Sequence, residues 1–269
     1  MKLSLTKHHG LGNDFLVVFD PEEHGVHDLP RLAVDLCGRR TGVGADGLLV
    51  ATSAEGYAAR MQLFNADGSS AEMSGNGIRC FAQAVAARRG DLGPQLILTD
   101  AGDRVVTLAS TDDAAVVTAQ VEMGHVGQLA EPNDWHLLQC NPDRPVAHLS
   151  LGNPHSVVGV DDVAAVDLAD LGAKVPHVNL EIIEPGPEVN AITMRVHERG
   201  AGITAACGTG ACAAAFAARS WGLVASVEPE VVVHMEGGTA TVTFPADAPD
   251  RAVLTGPATL VAVLEVERA

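Results

Sequence analysis

The amino-acid sequence predicts an α+β fold made of two similar units. Short strand-like runs occur along the whole chain, and 28 glycines and 14 prolines supply turns between them. Two long apolar helical segments are each preceded by the same pattern of small residues, and other motifs repeat in the same order. Because short Gly and Asp turns join many of the runs, we expect most neighbouring strands to be antiparallel.

The predicted strands are short runs rich in Val, Ile and Leu. The segment from Lys2 to Lys7 alternates apolar and polar residues, as a half-buried strand does. The other runs are residues 15–19, 47–51, 61–64, 95–99, 105–108, 116–121, 156–160, 179–183, 192–196, 231–235, 239–244 and 260–266.

Four segments have the signals of helices, which are a capping residue before them, apolar residues at helical spacing, or a glycine after them. The second is expected to end at Gly90, and the third to lie between Asp162 and Gly172. The last is apolar all round through Ala218, which predicts a helix enclosed by protein. The four predicted helices are residues 29–39, 75–89, 163–171 and 208–221.

The two halves of the chain resemble each other. Leu11-Gly12-Asn13 precedes an apolar strand in one half, and Leu151-Gly152-Asn153 does so in the other. A polar residue, Asn65 in the first half and Glu198 in the second, lies nine residues before the start of an apolar helix. We therefore expect two units related by a pseudo-two-fold axis, with their helix ends meeting at a central cleft. The predicted units are residues 1–122 with the C-terminal strand 256–269, and residues 123–255.

Composition limits the classes of function. A net charge of −17 argues against a general nucleic-acid or anionic-membrane surface. The N-terminus lacks the apolar block of a signal peptide, and no apolar run is long enough to predict a membrane span. An odd number of cysteines without paired spacing does not fit a secreted disulfide framework, and Cys37, Cys140 and Cys212 are expected to be buried thiols. We expect a cytoplasmic protein with a small-molecule ligand, and the histidines do not predict a metal site.

Two helix starts carry residues suited to proton transfer. Ser74 precedes Gly75-Asn76-Gly77, and Cys207 precedes Gly208-Thr209-Gly210. The N–H groups at a helix N-terminus can bind an anion, and the helix dipole there favours a thiolate. Two such ends facing each other would hold a carboxylate and place a side chain on either side of the adjacent carbon, which is the geometry of a two-base racemase. We expect Cys207 to have a lowered pKa and to be the most readily alkylated cysteine.

Removing the α-hydrogen of an amino acid is difficult because the carbanion forms beside a carboxylate that is already negative. Many enzymes use pyridoxal phosphate, attached to a lysine, as the electron sink. Of the three lysines, Lys2 and Lys7 lie in the first strand and Lys174 in a polar loop, and none has a phosphate-binding sequence beside it. A cofactor-free route, with helix N-termini stabilising the carboxylate, is therefore favoured.

Several motifs together resemble those of the diaminopimelate epimerase family, in the same order over nearly the whole chain. The resemblance implies cofactor-independent interconversion of LL- and meso-2,6-diaminopimelate, for lysine and peptidoglycan-precursor biosynthesis, by a homodimer. It also implies that each unit is a curved, mostly antiparallel sheet wrapped around a central helix, with the active site in the cleft between the units. The motifs are His9-Gly10-Leu11-Gly12-Asn13-Asp14-Phe15, Phe64-Asn65-Ala66-Asp67-Gly68-Ser69, Met73-Ser74-Gly75-Asn76-Gly77, Gly152-Asn153-Pro154-His155, Glu198-Arg199-Gly200-Ala201-Gly202 and Ala206-Cys207-Gly208-Thr209-Gly210.

The resemblance further implies roles for single residues. Cys207 matches one catalytic cysteine, and His155 and Glu198 match residues that tune or relay protons for the catalytic pair. Arg199 is suited to bind the distal carboxylate through two hydrogen bonds. The helix ends that would hold the reacting α-carboxylate are Gly75 with Asn76 and Gly208 with Thr209. The substrate-binding positions are Asn13, Asn65, Asn153, Asn179, Glu198 and Arg199.

The sequence departs from the family pattern at two positions. Ser74 stands where the family has its second catalytic cysteine, and Gly47 stands where it often has a glutamine that contacts the substrate. The pKa of a free thiol is about 8.5. A serine hydroxyl can act as a base only when another base lies next to it.

Three interpretations of Ser74 remain open. It is an introduced substitution that traps an inactive enzyme, or a natural residue assisted by a neighbouring carboxylate or a bound water. Alternatively, it marks a racemase or an elimination enzyme for another amino acid. The alternative from a different class is a non-catalytic relative that binds an amino acid.

Overall fold

The computed structural model describes residues 2–225 and 229–267. The chain divides into two compact units. The first contains the chain up to Val121 and again from Gly256, and the second contains Glu122–Thr255. Each unit contains two α-helices within the described residues. None of the helices in those residues is long and apolar enough to cross a membrane.

The first unit is formed mainly by strands. A 3₁₀ turn at Pro21–His24 follows its second strand. The helices are α1 (Leu29–Cys37) and α2 (Gly75–Arg89). The strands are β1 (Lys2–Gly10), β2 (Asn13–Phe19), β3 (Gly47–Thr52), β4 (Ala59–Asn65), β5 (Ser70–Ala71), β6 (Gln95–Thr99), β7 (Gly102–Ser110) and β8 (Val116–His125), the last of which continues into the second unit.

Strand pairing in the first unit is mostly antiparallel. Consecutive strands β1–β2, β3–β4, β4–β5, β6–β7 and β7–β8 form antiparallel ladders. Two pairs, β2–β3 and β4–β6, are parallel. A helix lies between the members of each parallel pair in the sequence, α1 in the first case and α2 in the second, because parallel strands need a crossover connection.

The second unit repeats this order of elements. A 3₁₀ turn at Trp135–Leu138 precedes its main strands. The helices are α3 (Leu168–Lys174) and α4 (Gly208–Ser220). The strands are β9 (Gly127–Gln128), β10 (Val146–Ser150), β11 (Pro154–Gly159), β12 (Asn179–Pro185), β13 (Ala191–Glu198), β14 (Gly202–Thr204), β15 (Glu230–Met235), β16 (Gly238–Thr243) and β17 (Arg251–Glu267).

The pairing of these strands matches that of the first unit step by step. The antiparallel pairs are β10–β11, β12–β13, β13–β14, β15–β16 and β16–β17. The pairs β11–β12 and β13–β15 are parallel, and α3 and α4 are their crossover helices. The prediction of an α+β fold with two similar, mostly antiparallel units is therefore confirmed.

Each unit has one helix that is enclosed by its own strands. In the first unit α2 packs against β1, β2, β3, β4 and β7, and its residues are buried from Gly75 to Ala86. In the second unit α4 packs against β10, β11, β12, β13, β15 and β16 and has alanine at six of its 13 positions. The small side chains let strands approach α4 from several directions, as its uniformly apolar sequence predicts.

Helix boundaries agree with local capping signals in most cases. The second predicted helix, 75–89, has the observed bounds of α2, and Gly90 ends it in the left-handed conformation with φ of 69°. Asp28 caps α1 by accepting a hydrogen bond from Arg31 N, although α1 ends at Cys37, two residues before the predicted end.

The third predicted helix, 163–171, is wrong. Asp162 forms a local turn, in which its side chain accepts from Ala164 N, and α3 starts only after Asp167. The backbone N–H of Val163 donates to the Glu184 carboxylate, so tertiary hydrogen bonds hold this segment out of the helix. Gly172 lies inside α3, where a Cβ would meet the His197 ring at 2.1 Å.

Four strands were not predicted, the short β5, β9 and β14 and the five-residue β10, and a fifth, β17, starts earlier than predicted. Strand β10 was absent from the predicted set, because only Leu149 in that segment is fully buried and the alternation is weak. Strand β17 starts at Arg251 and not at residue 260, since it pairs first with β16 in the second unit and then with β1 in the first. Gly256 and Pro257 lie inside it without ending it.

Candidate active site

The first unit presents Ser74 at the N-terminus of its enclosed helix. Ser74 has an extended backbone, and its side-chain oxygen accepts a hydrogen bond from Gly77 N at 3.0 Å. The first intrahelical bond runs from Ile78 N to Ser74 O. The amides of the first helical turn therefore point out of the helix end, where an anion can bind them.

The second unit presents Cys207 in the same way. Its φ and ψ are −127° and 118°, against −135° and 126° for Ser74. The sulfur accepts from Gly210 N at 3.3 Å, and Ala211 N donates to Cys207 O. A cysteine thus occupies a capping position in one unit and a serine occupies the equivalent position in the other. This equivalence was predicted from the repeated Gly-x-Gly pattern that follows each residue.

Asn13 and Asn76 come together in the first unit. Asn76 Nδ2 donates to Asn13 Oδ1 at 3.3 Å, and Asn13 Nδ2 donates to Asp46 Oδ2 at 2.7 Å. Arg79, fully buried one turn along α2, donates to Asn76 Oδ1 at 2.8 Å. The same guanidinium binds the carbonyl oxygens of Gly75 and Pro257. A buried cation therefore fixes both the start of α2 and its asparagine.

Asn65 lies apart from this group of hydrogen bonds. It ends β4, is exposed, and donates from Nδ2 to Ser69 Oγ in its own turn. In the sheet it is opposite Gly47, which is in turn opposite Phe15. A Cβ on Gly47 would lie 2.9 Å from Phe64 O, so this backbone leaves no room there for a larger residue without a shift.

In the second unit, hydrogen bonds join Asn153, His155, Thr209 and Cys207. His155 Nε2 lies 3.0 Å from Asn153 Oδ1, and Asn153 Nδ2 donates to Thr209 Oγ1 at 3.3 Å. Thr209 Oγ1 lies 3.5 Å from Cys207 Sγ. Four of the predicted site residues, separated by up to 56 positions in sequence, thus form one connected row.

Asn179, Glu198 and Arg199 meet at the turn after β13. Asn179 is buried, and its Oδ1 accepts from the backbone N–H of Arg199 at 2.8 Å. Thr204 Oγ1 donates to Glu198 Oε1 at 2.5 Å. The side chain of Asn179 therefore holds the turn that carries Arg199, whose own side chain is exposed.

The electrostatic surroundings of Cys207 oppose ionisation. Burial raises the pKa of the Cys207 thiol well above its usual range, and the nearby carboxylates of Glu198 and Glu181 raise it further. Hydrogen bonds from Thr209 and Gly210 act in the opposite direction but are weaker. The prediction that the helix end lowers the pKa of Cys207 is therefore wrong, because desolvation outweighs the helix dipole at this buried position.

Cysteine exposure also differs from expectation. Cys207 is 4% exposed, whereas Cys140, predicted to be buried, is partly exposed. Cys37 and Cys212 are buried, as predicted, and burial raises the pKa of Cys37 to about 12. The most accessible thiol in the structure is Cys140 and not Cys207.

Three residues that were not predicted from the sequence hold predicted site residues in place. Glu181, fully buried on β12, lies 2.6 Å from His155 Nδ1, and burial raises the pKa of its carboxyl. Arg79 holds Asn76, and Asp46 holds Asn13. Glu181 interrupts an apolar strand, and Arg79 interrupts an apolar helix. A charged residue in such a place needs a buried partner, and this signal in the sequence could have identified both.

The fold of the whole chain is that of known amino-acid isomerases. A solved structure described as a predicted epimerase from Pseudomonas aeruginosa superposes with a TM-score of 0.76 at 15% identity, covering 99% of this chain and 100% of that one. A hydroxyproline epimerase from Agrobacterium vitis, with trans-4-hydroxy-L-proline bound, gives a TM-score of 0.69 at 14% identity, covering 98% and 91% of the two chains.

Sequence comparison gives a closer relationship. The family model for diaminopimelate epimerase matches residues 5–128 and 148–261. A diaminopimelate epimerase from Cyanothece sp. is 39% identical over 285 aligned positions, covering 96% of this chain and 97% of that protein. The corresponding protein of Halothermothrix orenii is 35% identical, covering 88% and 89%. This protein therefore belongs to the diaminopimelate epimerase family.

Proposed function

We propose that this protein interconverts LL- and meso-2,6-diaminopimelate by proton transfer at one α-carbon, without a cofactor. The observation that carries the proposal is the pair of equivalent helix ends, with Ser74 capping α2 and Cys207 capping α4, in a member of this family. Each end combines outward-pointing amides with a side chain that can carry a proton. An isomerase that inverts an α-carbon needs both functions.

The helix ends would stabilise the negative charge that develops beside the reacting carboxylate. Glycine follows each capping residue, Gly75 after Ser74 and Gly208 after Cys207, so the first residue of each helix has no side chain. Arg79 lies one turn behind the first helix end and adds a buried positive charge there. Such preorganised donors are worth more in a water-poor site than in solution.

Cys207 is suited to be the group that gives a proton. Because the pKa of its thiol is raised, it is protonated at neutral pH. Transfer of that proton leaves a thiolate, which the Thr209 hydroxyl and Gly210 N–H would stabilise. Ser74 is the other acid–base group in the proposal, and its hydroxyl is a weaker base than a thiolate. Proton removal on the Ser74 side is therefore the expected slow step.

The distal end of the substrate would be bound by polar groups from strand ends. Arg199 is exposed on the turn after β13, and the Asn179 side chain fixes that turn. An exposed guanidinium can bind a carboxylate through two hydrogen bonds. Asn13, Asn65, Asn153 and Glu198 are the further proposed contacts for the ammonium and carboxylate groups.

The lysines favour a route without pyridoxal phosphate. Lys7 Nζ is bound to Asp14 at 2.9 Å and to the carbonyl of Gly44. Lys174 pairs with Asp170 on α3, and Lys2 is exposed at the start of β1. Within residues 2–225 and 229–267, no lysine is hydrogen-bonded to Ser74 or to Cys207, and a Schiff base would require a lysine there.

Incubation with LL-diaminopimelate in deuterated water tests the proposal. We expect deuterium at one α-carbon together with formation of the meso isomer, measured by NMR and chiral chromatography. Deuterium exchange without inversion would show a site that has only one working base. Exchange of a different amino acid, with none for diaminopimelate, would overturn the substrate. Binding without exchange of any amino acid would overturn the enzyme assignment.

The proposed reaction belongs to lysine and peptidoglycan-precursor biosynthesis, and we propose that the protein acts in the cytoplasm as a homodimer. Val261 and Val263 support the dimer, because they are 52% and 74% exposed on β17 and an exposed apolar pair is often covered by a partner. Light scattering of the purified protein and of Val263→Glu would test it. A monomer at micromolar concentration in the unmodified protein would contradict it.

A further inference from the structure

Glu181 forms a buried pair with His155 in the second unit, and it has no role in the two-base chemistry proposed above. Both side chains are fully enclosed, and Glu181 Oε1 lies 2.6 Å from His155 Nδ1. The other carboxylate oxygen, Glu181 Oε2, is buried and has no hydrogen-bond partner among the described residues. An apolar residue would avoid the cost of burying this group, so its presence calls for a functional reason.

The fold holds the carboxylate close to the start of α4. His155 is opposite Asn179 in the parallel pair of β11 and β12, and Glu181 is two residues further along β12 on the same face. A Cβ on Gly210 would lie 2.7 Å from Glu181 Oε1. Glycine at this position therefore lets the Glu181 carboxylate pack against the first turn of α4.

The hydrogen bonds that lead from His155 to Cys207 all have their donor on the His155 side. The oxygen of the Asn153 amide can only accept, so His155 Nε2, 3.0 Å away, must carry a hydrogen. Asn153 Nδ2 then donates to Thr209 Oγ1. Because Thr209 accepts from Asn153, its own hydroxyl hydrogen is available to the Cys207 sulfur.

We propose that Glu181 is a positioning residue, which shares one proton with Nδ1 of His155 so that Nε2 keeps a hydrogen of its own. The consequence is a row of hydrogen bonds that all donate toward Cys207 Sγ. This inference rests on the proposed function, because chemistry at Cys207 is what gives the row its use. A thiolate formed during turnover would accept from Thr209 and be stabilised by it.

The charge of the pair is compatible with its burial. A Glu181 carboxylate with an imidazolium, or a carboxylic acid with a neutral ring, has the same number of protons and no net charge. In both forms Nε2 keeps its hydrogen. The other ionisable groups whose charges act on this pair or on the nearby thiol are Glu198 on β13 and Cys207 itself.

Removal of the Glu181 carboxylate would reverse the donor and acceptor roles along this row of hydrogen bonds. With an apolar residue at position 181, a neutral His155 can place its hydrogen on Nδ1, so that Nε2 becomes an acceptor. The Asn153 amide would then rotate to donate to Nε2, and Thr209 would donate to the amide oxygen. The Cys207 sulfur would lose that donor while its contacts with the helix end remained.

The first test is nitrogen NMR of the full chain labelled with ¹⁵N-histidine, with the His155 signals assigned through His155→Gln. In the unmodified protein we expect Nε2 to carry a hydrogen. In Glu181→Leu we expect Nε2 to be largely unprotonated. Glu181→Gln, which can donate its amide hydrogen to Nδ1, should keep most of the original signal. Glu184→Gln, on the same strand but bound to Val163 N, is the matched control and should change nothing.

The second test is kinetic and uses the same variants. Partners that orient a metal-bound histidine typically contribute about 10- to 100-fold, and we expect Glu181→Leu to lower kcat by a comparable factor, with a smaller change in KM. Glu181→Gln should recover most of kcat. An unprotonated Nε2 in the unmodified protein would overturn the proposal. It would equally be overturned by a Glu181→Leu protein that matches Glu184→Gln in both NMR and kcat.

The two proposals can fail separately. If the unmodified protein inverts no amino acid, the proposed function fails, and the nitrogen signals alone decide whether Glu181 positions His155. If it inverts diaminopimelate and Glu181→Leu is indistinguishable from the control, only the positioning role fails. Because the unmodified protein already tests the protonation of Nε2, the outcome does not depend on whether the leucine variant folds.

Discussion

The two units have the same order of strands and helices but surround their helix ends with opposite charges. Behind Ser74, the fully buried Arg79 binds Asn76 and the carbonyl of Gly75. Close to Cys207, the charged neighbours are the carboxylates of Glu181 and Glu198. The two units therefore share the backbone geometry of their helix ends and differ in the charged groups around them.

This difference suggests that the two helix ends have different roles in proton transfer. Burial and, to a smaller extent, negative neighbours keep the Cys207 thiol protonated, so this end is ready to give a proton. A positive neighbour favours an anion at the Ser74 end, but a serine hydroxyl ionises much less readily than a thiol. In the second unit, the surroundings and the capping residue therefore agree, because both suit a protonated group. In the first unit they disagree, because the positive charge favours an anion and the capping serine does not readily form one.

The largest effect is expected from Ser74→Cys, which would remove that disagreement. A thiol beside Arg79 and at a helix N-terminus should ionise readily, and we expect turnover of diaminopimelate to rise by about 100-fold or more. The measurement is the initial rate of formation of the meso isomer. Ser53→Cys, at an exposed position outside the site, controls for the added thiol. An unchanged or lower rate would show that Ser74 serves a different chemistry.

Arg79→Met should cause the second largest effect, this time on stability. It would remove the three hydrogen bonds that the guanidinium donates, to the oxygens of Gly75, Asn76 and Pro257. A hydrogen bond from a charged group contributes about 1.5–3 kcal/mol, so the free energy of unfolding should fall by about 3 kcal/mol or more. Urea unfolding measures it, and Arg88→Met, exposed on the same helix, is the control. Equal losses in the two variants would contradict the role of Arg79.

The smallest effect concerns the reactivity of Cys207. Glu198 raises the pKa of the thiol, so Glu198→Gln should lower that pKa and increase the thiolate fraction at a given pH. A shift of one pKa unit would raise the rate of iodoacetamide alkylation up to about tenfold. Peptide mapping gives the rate, with Glu184→Gln as the control. Cys140 should react before Cys207 in every variant, because it is the partly exposed thiol. A slower Cys207 in Glu198→Gln would refute this account of its surroundings.

Local sequence signals were enough to identify the repeated elements. Gly-x-Gly after Ser74 and after Cys207 marked both helix starts, and Gly90 marked the end of α2. These features depend on the conformations available to a few consecutive residues, so they can be read without the fold. The third helix was misplaced because its start depends on a bond between Val163 and Glu184, which lie 21 residues apart.

The sequence by itself therefore determined the two-unit α+β architecture, the equivalence of Ser74 and Cys207, and the family. Only the tertiary structure decided which side chains and carbonyl groups lie close to each helix end. Parallel pairing of β11 with β12 brings Glu181 to His155, and β17 brings the Pro257 carbonyl to Arg79 across 178 positions of sequence. The pKa of Cys207 was decided in the same way. A helix dipole can be inferred from a few residues, but desolvation and neighbouring charges depend on everything that encloses the thiol.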